Sequence, residues 1–72
     1  MNTQLKLLDV VALTENLPEY GLRRGQVGTI VEILAPDVYE VEFSDDEGQA
    51  YAMKALGTDR LMELHYHFLR AA

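Results

Sequence analysis

Apolar and charged side chains alternate without a break along residues 38–43, VYEVEF. Because successive side chains of a strand point to opposite faces, Tyr39, Val41 and Phe43 are predicted to share one face. The two glutamates between them then share the other face. This alternation is typical of an antiparallel strand that is buried on one side only. The segment therefore predicts a strand whose aromatic and aliphatic residues enter a core while its glutamates meet water.

Four further segments share the composition of short strands and are separated from one another by turn residues. The five predicted strands are residues 9–14, 27–34, 38–43, 49–56 and 61–66. Segment 49–56 is the least regular, because its Ala, Met, Lys and Leu residues also favour helix. Residues 15–26 combine Asn, Pro and Gly without any periodicity and predict a long loop. Residues 57–60, GTDR, predict a turn or a single 3₁₀ turn before the last strand.

Two glycines, Gly25 and Gly28, flank the start of the second predicted strand. A glycine at such a place indicates a positive φ, a bulge or the close approach of another backbone. The long loop before them has three large apolar residues, Leu17, Tyr20 and Leu22. These are expected to fold the loop back over the core.

The chain has 72 residues, which is near the lower size limit for one hydrophobic core, so residues 1–72 are predicted to form a single domain. Its core is expected over residues 7–66, with tails at 1–6 and 67–72. So small an all-β chain hides the edges of its sheet only by curling. The predicted fold is a five-stranded SH3-like barrel with a long first loop and a short 3₁₀ turn before the last strand.

Twelve acidic residues against six basic ones give a net charge of −6. Direct binding of nucleic acid is therefore disfavoured, since affinity for phosphates comes from clustered Lys and Arg, and Arg23-Arg24 is too small a cluster. The acidic balance is compatible with a basic protein partner, which it would attract at long range. It is equally compatible with a charge that only maintains solubility.

Cysteine is absent from the sequence, so neither a disulfide framework nor a thiolate zinc site supports the core. No apolar run approaches the roughly 18 residues needed to span a bilayer. The first residues, MNTQLK, lack the basic and apolar regions that mark export. These features predict a cytoplasmic protein without membrane insertion.

One face of the predicted barrel is expected to be acidic, and we refer to its residues as the acidic set. They are Glu32, Glu40, Glu42, Asp45, Asp46 and Glu47. The set is interpreted as a docking surface for a basic protein, with a plain solvated face as the alternative. Residues of the long loop are predicted to contribute contact area to the same partner. They are Leu17, Tyr20, Leu22, Arg23 and Arg24.

Candidate chemistry is sparse, and no catalytic residue, metal site or cofactor is predicted. The only serine, Ser44, abuts an acidic turn, whereas a nucleophile needs an oriented histidine beside it. Carboxylates 45–47 lack the spaced ligand pattern of a calcium loop. His65 and His67 would lie on one face of a strand with Glu63, a starting point for zinc or nickel. Exposed or tail histidines are the favoured interpretation.

Several short motifs carry a family resemblance. They are Gly25-x-x-Gly28-Thr29-Ile30-Val31-Glu32, Val38–Phe43, Asp46-x-Gly48, and Leu61 with Leu64. Together they resemble the pattern of small SH3-like barrels of bacteria. Residues 7–13, LLDVVAL, and Gly21-Leu22-x-x-Gly25 more closely resemble a family of short uncharacterised bacterial proteins, known as a domain of unknown function and frequent in photosynthetic bacteria. The resemblance covers roughly residues 7–66 and concerns turn glycines and core positions.

This resemblance implies a function without catalysis. Genes of that family often lie beside a second small gene, as in toxin–antitoxin pairs, which implies binding and neutralising a partner encoded nearby. The expected function is a protein-binding module, antitoxin-like or regulatory, for a basic protein. A more distant similarity, to the SH3-like subunit of photosynthetic complex I that helps to dock ferredoxin, implies the alternative of an accessory subunit for electron transfer. The apolar segment 64–69 also predicts a possible homodimer.

Overall fold

The computed structural model describes residues 5–65, and within this range the chain is all-β. The strands are β1 (Val10–Leu13), β2 (Val27–Ala35), β3 (Val38–Ser44), β4 (Ala50–Gly57) and β5 (Leu61–Glu63). They form one antiparallel sheet in the order β4-β3-β2-β1-β5. Single 3₁₀ turns lie at Pro18–Tyr20, in the long first loop, and at Thr58–Arg60, before the last strand. No helix of the described range has the length and apolar character to cross a membrane.

The predicted all-β class and element order are confirmed, and the last strand is shorter than predicted. β5 ends at Glu63, which pairs with Val11, and Leu64 adds one more hydrogen bond from its N–H to the Val10 carbonyl at 2.9 Å. Pairing stops there because β1 begins at Val10. Tyr66, the predicted end of the strand, lies outside the described residues. β4 and β5 are the two edges of the sheet, and closure into an SH3-like barrel stays a prediction.

The core lies on one side of β3. Tyr39, Val41 and Phe43 are almost completely buried, as the alternation predicts. Burial of each such side chain contributes roughly 1.5–3 kcal/mol, which is large against the few kcal/mol by which a small domain is stable. The Tyr39 hydroxyl donates to the Pro36 carbonyl at 3.4 Å. The core consists of Leu5, Val11, Leu13, Leu17, Leu22, Ile30, Tyr39, Val41, Phe43, Leu56 and Leu61.

The core extends further towards the N-terminus than predicted. Leu5 is 6% exposed and packs in the core, although residues 1–6 are predicted to be a tail. A tight turn follows it, in which the Lys6 N–H donates to the Asp9 carboxylate at 2.8 Å and the Asp9 N–H donates to the Lys6 carbonyl at 3.0 Å. The pattern misses Leu5 because residues 5–8, Leu-Lys-Leu-Leu, show no clear alternation.

The two glycines at the start of β2 have different roles, and each matches one of the predicted alternatives. Gly25 has φ +91°, a left-handed conformation that glycine adopts without strain. Gly28 instead allows close packing of β3 on β2. A Cβ at this position would lie 2.7 Å from Val41 Cγ1 and 3.0 Å from the Glu42 carbonyl oxygen.

Gly28→Ala is therefore expected to destabilise the protein by about 1–3 kcal/mol, the usual range for overpacking a filled core. The neighbouring atoms include the backbone of Glu42, which cannot rotate away. Urea unfolding of the full chain measures the effect. Ala50→Ser, at an exposed position of β4, serves as the control and is expected to change stability by less than about 0.5 kcal/mol. Equal stability of Gly28→Ala and the unchanged chain would contradict this close packing.

Candidate functional site

Three glutamates come together on the side of the sheet that faces away from the core. In the β2–β3 register Glu32 lies directly opposite Glu40, and Glu42 follows Glu40 two positions along β3. Directly opposed residues of an antiparallel pair share a face, with Cβ atoms about 4.5–5.5 Å apart. Residues two apart in a strand also share a face. The sheet therefore presents Glu32, Glu40 and Glu42 to solvent as one group.

Glu32 reaches this face through a β-bulge. The register passes from Ile30 opposite Val41 to Glu32 opposite Glu40, so that one extra residue, Val31, is inserted on β2. Without the insertion, Val31 would oppose Glu40 and Glu32 would point towards the core side, since a shift of one residue exchanges the faces of a strand. The bulge thus adds the third carboxylate.

The three glutamates have no ion-pair partner among residues 5–65. The ion pairs of this range lie elsewhere, between Arg60 and Glu15 at 3.1 Å, Lys6 and Asp9 at 4.0 Å, and His65 and Glu63 at 3.8 Å. Like charges directly opposite each other in a sheet are destabilising, whereas a pair of opposite charges contributes roughly 0.2–1 kcal/mol to stability. The hairpin therefore presents an uncompensated negative potential.

Asp45, the first residue of the acidic turn between β3 and β4, has a structural role in the turn. Asp45 Oδ1 accepts hydrogen bonds from the N–H groups of Glu47 and Gln49, both at 2.9 Å. Asp side chains commonly stabilise turns by accepting such hydrogen bonds from backbone N–H groups a few residues ahead. Gly48 completes the turn with φ +78°. The Asp45 carboxylate thus holds the turn, whereas Asp46 and Glu47 are exposed without such a bond.

The six predicted acidic residues form a strip rather than a compact patch. Asp45 lies five positions after Glu40, which at about 3.3 Å per position corresponds to roughly 16 Å. Glu32, Glu40 and Glu42 lie along the strand pair, and the turn carboxylates lie at its far end. A partner that contacts both groups must span this length.

An exposed apolar side chain of β4 lies beside the glutamates and is absent from the predicted site. Met53 lies directly opposite Glu42 and is about half exposed, at 47%. Tyr51 is also half exposed, but it is the extra residue of a register shift between Ala52, opposite Phe43, and Ala50, opposite Ser44. Its hydroxyl accepts a hydrogen bond from Gln26 Nε2 at 2.7 Å. We define the outer face by its one apolar and three acidic members. They are Glu32, Glu40, Glu42 and Met53.

Two residues of the predicted loop contact are buried in the core. Leu17 and Leu22 are 3% and 2% exposed and belong to the core. They are joined by two backbone hydrogen bonds, with N···O distances of 2.9 and 3.1 Å, which fasten the ends of the 3₁₀ turn together. The prediction that they fold the loop over the core is confirmed. The prediction that they contribute contact area to a partner is wrong, because their side chains are already enclosed.

The exposed loop residues do not join the outer face. The Tyr20 ring lies 4.4 Å from Lys54 Nζ, a cation–π contact. Lys54 is opposite Val41 and therefore on the core side of β4. Arg23 and Arg24 are exposed at the end of the same loop, where the Arg24 N–H donates to Asn16 Oδ1 at 2.8 Å. Tyr20 thus lies on the other side of β4 from the glutamates.

The histidine pair is only partly described. His65 is exposed, and its Nε2 lies 3.8 Å from a Glu63 carboxylate oxygen. His67 lies outside the described residues, as does most of segment 64–69. Residues 5–65 contain no group of three or more side chains arranged to hold a metal ion. Metal binding by the pair and dimerisation through the segment remain untested predictions.

The sequence comparisons point to a family without assigned chemistry. The family model DUF4926, described as a domain of unknown function, matches residues 7–63, which is well over half of the 72-residue chain. No curated protein and no solved structure gives a significant match. The match covers all five strands and includes the outer face and every core residue except Leu5.

The role of Asp45 as a turn residue is testable. Asp45→Ala is expected to lower the free energy of unfolding by about 1–2 kcal/mol, because two backbone N–H groups lose their acceptor. Asp45→Asn keeps an Oδ1 acceptor and should recover most of this loss. Asp46→Ala, which removes an exposed carboxylate next to it, is the control. Chemical unfolding measures all three, and equal stabilities of the two alanine variants would contradict the assignment.

Proposed function

The chain belongs to the DUF4926 family, and we propose that it is a non-enzymatic module that binds a basic protein on its outer face. The observation that supports this proposal is the register that sets Glu32 opposite Glu40 with no cation of residues 5–65 in contact. A partner that brings Lys or Arg to this pair would replace a repulsion by an attraction. The function of the face is therefore recognition rather than catalysis.

The carboxylates would contribute mainly to the rate and specificity of association. Charges at the rim of an interface steer the approach of an oppositely charged partner and reject like-charged ones. The chain carries a net charge of −6, so its long-range field has the same sign as the outer face. Since the Debye length is about 8 Å at physiological salt, we expect the association rate to fall as salt is raised.

The apolar member of the outer face would supply contact area. Met53 is 47% exposed, so it has surface left to bury against a partner. It lies directly opposite Glu42, so a partner that contacts the carboxylates also reaches this side chain. Methionine is flexible and adapts to irregular partner surfaces.

The finer proposal is that the partner is encoded by an adjacent gene and is neutralised or regulated by this chain, as an antitoxin acts on its toxin. The test is to capture partners with the tagged full-length chain and to express the adjacent gene alone. Recovery of a basic neighbour that is harmful alone and harmless together with this chain supports the proposal. A harmless neighbour that is not recovered contradicts it. Recovery of a membrane-bound electron-transfer complex would favour an accessory-subunit function instead.

Reversal of charge on the outer face tests the docking surface itself. The double change Glu40→Lys and Glu42→Lys is expected to weaken binding of the captured basic protein at least about tenfold, chiefly through a slower association rate. Both side chains point away from the core, so folding should persist, as circular dichroism can verify. Glu19→Lys in the 3₁₀ turn of the first loop has the same kind of charge change at an exposed site and is the control. Binding that is equally impaired by Glu19→Lys, or unaffected by the double change, would overturn the proposal.

A further inference from the structure

Within residues 5–65, the second half of β2 has no paired strand on one side. β1 pairs in register with β2 only over residues 27–29, and two more hydrogen bonds tie Ile30 to the segment before β1. The Ile30 N–H donates to the Asp9 carbonyl at 3.0 Å, and the Ile30 carbonyl accepts from the Leu8 N–H at 2.8 Å. From Val31 to Ala35, no strand of residues 5–65 pairs with the side of β2 that faces away from β3. We call Val31–Ala35 the open edge.

The backbone of Ile33 is directed towards this open edge. The N–H and C=O of alternate residues in an antiparallel strand point to opposite neighbours, and both polar groups of Ile30 point away from β3. The register shift after Ile30 adds one residue, and Ala35 with Val38 closes the turn of the hairpin. Ile33, which is opposite Tyr39, is then the next residue in register whose N–H and C=O face outward.

Exposed apolar side chains surround the open edge. Ile33 and Leu34 are 50% and 45% exposed, and Leu8 is 70% exposed. Leu8 also has φ +72°, a left-handed conformation that residues with a Cβ rarely adopt. Leu8 is the third residue of the turn Lys6–Asp9, a position where a positive φ is usual and where glycine is favoured over leucine. The fold thus holds a large apolar side chain in solvent at the point where β1 stops covering β2.

We infer that the open edge accepts an extended segment of the basic partner as an additional strand, in which apolar and basic residues alternate. The inference rests on the proposed function and specifies how the partner docks. A residue of the added strand opposite Glu32 lies on the outer face, beside Glu32 and near Glu40, where Lys or Arg fits. The residue opposite Ile33 lies on the other side, where an apolar side chain contacts Ile33, and the Leu8 backbone, bonded to Ile30, places Leu8 beside the start of the edge. The two bulges of β2 restrict the added strand to a short segment.

Charge favours a basic partner over a second copy of this chain as the occupant. A second copy would place another hairpin with Glu32 and Glu40 beside the first, and each copy carries a net charge of −6. A basic segment supplies the missing cation to the Glu32–Glu40 pair and the missing backbone partners to Ile33. Main-chain hydrogen bonds with alternate side-chain contacts are the usual mode of strand addition to a sheet edge.

The probe for this mode is the peptide acetyl-Lys-Val-Lys-Val-Lys-Val-Lys-amide, titrated into the full 72-residue chain at low salt. Two derivatives carry N-methyl groups on all the valines or on all the lysines, which removes one alternate set of N–H donors and keeps every charge. Strand addition predicts that one derivative binds at least about tenfold more weakly than the parent and the other within about threefold. Equal affinity of the two derivatives overturns the inference. If the two derivatives bind equally well but Glu42→Lys weakens their binding, strand addition is excluded and the proposed docking on the outer face is retained. If Glu42→Lys leaves their binding unchanged, the proposed function is excluded as well.

A stability–binding comparison gives a second, independent test. Glycine adopts a positive φ without strain, so Leu8→Gly is expected to raise the urea midpoint while weakening binding of the parent peptide several-fold. Met62→Ala on β5, at a residue exposed to a similar degree, is the control and should leave binding within about twofold. Amide hydrogen exchange at Ile33 should be fast in the free chain and slowed by the peptide. Unchanged affinity of Leu8→Gly, or protection of Ile33 in the free chain, contradicts the inference.

Discussion

The burial of Tyr39, Val41 and Phe43 on one face of β3 is the constraint on which the rest of the structure depends. In a strand, a slip of one residue exchanges the two faces completely. Such a slip would bury Glu40 and Glu42 without partners, at a cost of several kcal/mol each, in a domain whose total stability is expected to be only of that order. The core therefore fixes the register of β3, and the register fixes where its carboxylates point. The outer face is a consequence of how the core is filled.

The neighbouring strands convert this alternation into a surface with a defined chemistry. The bulge at Val31 turns Glu32 to the side of Glu40, and Met53 of β4 lies opposite Glu42. None of these features helps the isolated chain, since opposed carboxylates repel and a half-exposed methionine leaves apolar surface in water. A surface that opposes the stability of its own fold is typical of a site kept for binding. The exposed Leu8, in the turn before β1 and with a positive φ, has the same character.

The sequence predicts the elements of this fold well because their signals are local. Strict alternation identifies residues 38–43 as a one-sided strand, and Gly25 and Gly28 identify a special backbone position at the start of β2. The face of Glu32 is not predictable from periodicity, because regular alternation from Ile30 would turn Glu32 inward and only the paired strand reveals the bulge. The sequence does not distinguish Asp45, whose carboxylate stabilises the turn, from its neighbours Asp46 and Glu47. Carboxylates that stabilise a turn and carboxylates that bind a partner have the same appearance in a sequence.

Burial within the long loop is not predictable from the sequence, because residues 15–26 have no periodicity that separates buried from exposed positions. Leu17 and Leu22 are buried while Tyr20 is exposed, and only three-dimensional packing decides which of these residues are buried.

The central claim of this account is which side of the sheet binds the partner. Heteronuclear NMR of the labelled full-length chain, with and without its basic partner, answers it most directly. We expect the largest shift changes at Glu40, Glu42 and the Met53 methyl group, with the loop nearly unchanged. Changes concentrated in residues 15–26, with the outer face unaffected, would contradict the proposed docking surface.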